Sequence, residues 1–143
     1  MAHAHNFSDR LAALPQTDRR LLKSMAAIAL LALLIGIIAG VATALVRGGL
    51  LHVGLADGYR FLTVHGVGIF FYWLFTTQTA LLLGLAACES GQGLAWRQWA
   101  WGAFALMLAG LLLSMAGSVT GTPLLYNGAP ELVRDNPANL LLF

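Results

Sequence analysis

Residues Ser24 to Val46 read SMAAIALLALLIGIIAGVATALV, 23 positions without one charged side chain. A bilayer core is crossed by about 20 apolar residues in helical form, so this stretch is long enough to span once. Two further uncharged runs follow, Phe61 to Cys88 with 28 residues and Gln98 to Pro130 with 33. The last is too long for one span. It is expected to end between Gly117 and Gly121, because Thr122-Pro123 and Asn127-Gly128-Ala129-Pro130 are turn chemistry. No segment alternates apolar and polar residues at period two, which removes a β-barrel. In lipid the backbone has to satisfy its own hydrogen bonds, so the spans are helices. The expected fold is an all-α membrane protein with three transmembrane helices at about 21–46, 60–88 and 96–121. An N-terminal arm over 1–20 precedes them and an external tail over 122–143 follows.

Composition agrees. The chain is 59% hydrophobic and 10% charged, where a soluble domain carries about 25% charged residues. That excludes a soluble single domain and an intrinsically disordered chain. The net charge of +2 reflects basic residues near one end and reads as membrane orientation, not nucleic-acid binding. Three spans put Arg10, Arg19, Arg20, Lys23 and Arg97 on one side and Arg47, Arg60 and Arg134 on the other. The excess favours a cytoplasmic N-terminus. Trp96, Trp99 and Trp101 fall where indole rings sit at headgroup level. Met1 to Thr17 is polar and contains Pro15, unlike a cleaved signal peptide. Thr17 or Asp18 is the expected N-cap of the first helix. Phe7, Leu11 and Leu14 suit either a surface-lying segment or a flexible arm. Cys88, the single cysteine, has no disulfide or zinc partner and reads as a buried small hydrophobe.

No phosphate loop, zinc-protease, paired-cysteine or Ser/His/Asp pattern is present. The uncharged runs hold no carboxylate, lysine or arginine, and one histidine, His65. An intramembrane histidine is costly unless partnered, which makes it a functional candidate. Helical steps from His65 give Gly68, Tyr72, Thr76 and Thr79 on roughly one face. Small residues there, with Gly66 beside the histidine, allow a flat ligand such as haem to approach, and neutral imidazole is its commonest axial ligand. A histidine hydrogen-bonded to a neighbouring backbone, with its glycines serving helix packing, explains the same residues. Gly36 and Gly40 form a GxxxG step in the first span, and Gly117 and Gly121 form one in the third. His52 reads as solvated, and His3 and His5 lack a third metal ligand.

The stretch Phe61-Leu62-Thr63-Val64-His65-Gly66-Val67, with Thr77-Gln78 further on, resembles the second helix of subunit I of the haem–copper oxidases. The likeness is greatest to the B-family, ba-type cytochrome c oxidase branch. Arg19-Arg20-Leu21-Leu22 leading to Gly36 and Gly40 is similar to that family's first helix. The third span running into Thr122-Pro123 and Ala129-Pro130 is similar to its third helix and outer loop. The resemblance covers roughly residues 17–135.

It implies that His65 ligates the iron of a low-spin haem, b- or a-type, through Nε2. Its Nδ1–H would then need a carbonyl or hydroxyl acceptor on a neighbouring helix. Gly66, Gly36 and Gly40 would leave room for the macrocycle or its tail, and Tyr72 would line it. With His65 one turn inside the second helix, the iron would lie in the outer third of the bilayer, near an external electron donor. A family subunit I has many more helices, and its second haem ligand, high-spin haem ligand and copper ligands all lie beyond the third. This chain therefore reads as the N-terminal piece of a split subunit I. A larger membrane chain would complete the haem and carry the copper site, alongside a subunit II-like chain. The place implied is a bacterial or archaeal cytoplasmic membrane, in respiratory electron transfer to oxygen, without catalysis by this chain alone. A nitric oxide reductase-type member, a structural anchor of a respiratory complex, and a homodimer sharing one haem between two copies of His65 are the alternatives.

Overall fold

The computed structural model describes residues 7–120, and among them every regular element is a helix. A short α1 (Phe7–Ala13) leads through Pro15 into α2 (Gln16–Arg47). The second rod consists of α3 (Leu55–Gly66), a π-helical stretch (Val67–Leu74) and α4 (Phe75–Ser90) in direct succession. The last of the described helices is α5 (Arg97–Thr120). Among the described residues three helices are long and apolar enough to cross a membrane: Gln16–Arg47, Ala56–Ser90 and Arg97–Gly117. The first two begin about five residues before the ranges read from the sequence. An uncharged run measures hydrocarbon, whereas a helix continues through charged residues into the headgroup layer. The expected turn after Gly121 and the tail beyond it lie outside the described residues, as do His3 and His5.

The N-cap expectation is corrected. Pro15 occupies the cap position and no side chain caps the helix. Thr17 and Asp18 lie inside the first turn, where proline's fixed φ already sets the chain for a helix. The described part of the N-terminal arm is folded. Leu11 and Leu14 pack on Leu22, Ala87, Cys88 and Leu94, so α1 lies across the end of the bundle and Cys88 is buried beneath it.

The helices meet through small, aliphatic and aromatic side chains. Ala32 of α2, Val67 and Tyr72 of the π stretch and Leu111 of α5 form one cluster. Leu21 and Met25 of α2 meet Phe104 of α5 in another. Close packing and interhelical hydrogen bonds hold such contacts in a membrane, because lipid tails are as apolar as leucine. The exterior is correspondingly apolar, with Leu82, Leu106 and Ile38 exposed. Trp96 and Trp99 are 74% and 73% exposed at the start of α5.

Candidate functional site

His65 lies ten residues after Leu55, about 15 Å along the helix at 1.5 Å per residue. It is thus nearly three turns into the second rod instead of one, because α3 begins before the uncharged run. Its ring leans on α2. Nδ1 lies 2.8 Å from the carbonyl oxygen of Gly36. A carbonyl can only accept, so Nδ1 carries the proton, and in the neutral imidazole Nε2 keeps its lone pair. Gly36 O can take this bond as well as its own helical bond because a carbonyl has two lone pairs. Nε2 has no hydrogen-bond partner among the described residues.

Glycine makes this approach possible. A Cβ at Gly40 would stand 2.6 Å from His65 Nδ1 and 2.8 Å from Cε1, inside the ring's van der Waals surface. One at Gly36 would stand 2.7 Å from Ile69 Cδ1, and one at Gly68 would stand 3.2 Å from Ala32 O. The space over the GxxxG step is therefore filled by His65 and Ile69 of the facing helix. Gly36 and Gly40 act on any ligand through the histidine they seat. Gly66, partly buried, is the last residue before the helix changes to π geometry. Such i→i+5 stretches are rare and concentrate at functional sites.

Tyr72 is 5% exposed, with its hydroxyl 3.1 Å from Ser114 Oγ, so it sits in the contact with α5. Thr76 is also buried and donates to Met107 Sδ at 3.0 Å, whereas Thr79 is exposed and bonds back to Phe75 O. The residues expected on one face with His65 thus divide. His65 and Gly68 meet α2, Tyr72 and Thr76 meet α5, and Thr79 turns outward. His52 is exposed in the loop before α3. A groove of about 550 Å³ runs beside the α2–α3 seam, lined by Ile35, Ile38, Ala42, Phe61 and Val64, with the Asp57–Arg60 ion pair at one end. His65 does not line it. Among the described residues no three His, Cys, Asp or Glu side chains gather as a metal site.

One polar cluster was missed by sequence reasoning. Asp18 is 0% exposed and accepts from Arg97 through both carboxylate oxygens, with Nη2 at 3.1 Å and Nε closer. It also accepts from the Leu94 amide at 3.0 Å. The turn that brings Leu94 there uses Gly91 and Gly93 at φ values of +65° and +83°. Gly93 packs on Asp18 and Pro15 with no room for a Cβ. The pair spans 79 positions, so no local spacing could reveal it. The usable signal was topological: Asp18, the lone acid among Arg19, Arg20 and Lys23, shares its membrane side with Arg97.

Comparison with models of known protein families, with curated proteins and with solved structures finds no match.

Proposed function

We propose that this chain supplies His65 as one axial ligand of a low-spin haem, as the N-terminal three-helix portion of a B-family haem–copper oxidase subunit I. One observation carries the reading: His65 Nδ1 is held 2.8 Å from Gly36 O while Nε2 has no hydrogen-bond partner among the described residues. A ligating imidazole is usually held this way, with its second N–H donated to a carbonyl that fixes tautomer and ring angle. His65 fits an axial ligand in residue type and tautomer, with Gly36 and Gly40 supporting it from behind and Gly66 beside it. Haem bound there would supply one-electron transfer. This chain's part is to orient one imidazole and exclude water with the apolar faces of α2 and α3.

The second axial ligand and the copper site belong, in this reading, to a larger membrane chain, with a subunit II-like chain delivering electrons. The N-terminus is then cytoplasmic and the end of α3 nearer Leu55 faces outward. Oxygen is the acceptor by the sequence resemblance.

His65→Ala in the complex purified with its partner should abolish the low-spin haem absorbance and electron delivery, while His52→Ala should leave both unchanged. The purified single chain should bind no stoichiometric six-coordinate haem. A His65→Ala complex that assembles with an unaltered low-spin spectrum would overturn the assignment and favour a structural anchor.

A further inference from the structure

A cavity of about 230 Å³ opens between α1 and the start of α2, lined by Ser8, Leu11, Ala12, Arg19, Leu22 and Lys23. Arg19 and Lys23 are four residues apart and therefore share a helix face. The Arg19 Nε atom is buried and has no hydrogen-bond partner among the described residues. A guanidinium N–H shielded from water without an acceptor is costly, and a phosphate oxygen is the acceptor its planar fork suits best. The nearby carboxylates do not fill this place. Asp18 is committed to Arg97 and Leu94, and Asp9 is exposed on α1. The cavity also has two chemical ends. Arg19, Lys23 and the Ser8 hydroxyl are polar, while Leu11 and Leu22 are apolar, and Lys23 immediately precedes the uncharged run that enters the hydrocarbon.

We propose that this cavity binds the headgroup phosphate of an anionic phospholipid on the N-terminal side of the membrane. Arg19 and Lys23 hold the phosphate, Ser8 donates a further hydrogen bond, and the first part of an acyl chain lies along Leu11 and Leu22. Basic pockets between helices at this level are a recurrent headgroup site. The bound lipid would also tie α1 to α2, since its ligands come from both. A free inorganic phosphate shares the charged half of this chemistry but gains nothing from the leucines.

The test uses the full chain in detergent micelles containing equal phosphatidylglycerol and phosphatidylcholine, with retained lipid counted by native mass spectrometry. Wild type should keep one phosphatidylglycerol. Arg19→Gln/Lys23→Gln should lower that retention roughly tenfold or more, and Ala12→Phe, which fills the cavity from α1 without touching a charge, should do the same. Arg20→Gln should change it less than twofold. An equal loss with Arg20→Gln would mean a diffuse surface charge and overturn the site. Displacement of the lipid by inorganic phosphate at constant ionic strength would overturn the lipid in favour of the free anion. Retention by both cavity variants would overturn the proposal altogether, whatever becomes of the haem assignment.

Discussion

At Gly40 a single hydrogen in place of a methyl group decides where His65 rests. Alanine there would meet the imidazole at 2.6 Å, an overpacking that costs about 1–3 kcal/mol. Alanine's better helix propensity offsets this by about 1 kcal/mol. Gly40→Ala should therefore destabilise the chain by up to about 2 kcal/mol in detergent unfolding, within those two ranges. Gly36→Ala should cost less, because the atom it meets is the end of a flexible isoleucine side chain. Gly102→Ala has nothing within 4 Å and should be neutral or stabilising by up to about 1 kcal/mol. Equal losses at all three would show that packing over the GxxxG step is not what selects glycine.

Between α4 and α5 the connection is held by the Asp18 carboxylate together with the Ser90 hydroxyl, which donates to Gly93 O at 2.9 Å. Asp18→Ala should free the Leu94 amide and raise its hydrogen-exchange rate roughly tenfold or more, with little change at Leu111. Gly93→Ala should cost about 1–2 kcal/mol from the left-handed backbone alone, and more because its Cβ would press on Pro15 at 3.1 Å. Unchanged exchange in both variants would mean the turn holds itself. The three spans were legible because hydrocarbon thickness sets a length that charges interrupt, and His65 stood out as the histidine inside one. The partner of Asp18 was not legible, since Arg97 and Leu94 lie 79 and 76 positions further along the chain. The π stretch was hidden for a related reason. Val67-Gly68-Ile69-Phe70-Phe71-Tyr72-Trp73-Leu74 is as apolar as any α-helical run. Only the packing of Gly68 on Ala32 and Gly36 and of Tyr72 on Ser114 shows this stretch meeting two neighbouring helices within five residues. For the same reason the division of the His65 face could not be read from a constant helical step.

The whole molecule presents two ends. Pro15, Cys88 and the Gly91–Gly93 turn gather at one, and Gly48 to Gly54 forms the other. Leu50→Cys and Gln92→Cys, both at exposed positions, should react with an impermeant maleimide from opposite faces of sealed vesicles. Leu50→Cys should label from outside the cell if the N-terminus is cytoplasmic. The native Cys88, buried under α1, should stay silent against both backgrounds. Labelling of both new cysteines from one face would refute three crossings. The Asp18–Arg97 contact also carries a time order. The carboxylate emerges from the ribosome 79 residues ahead of its guanidinium, an interval of about 4–16 s at roughly 5–20 residues per second. Until then the first two helices can be inserted but not latched, and the third, once made, closes the bundle behind it.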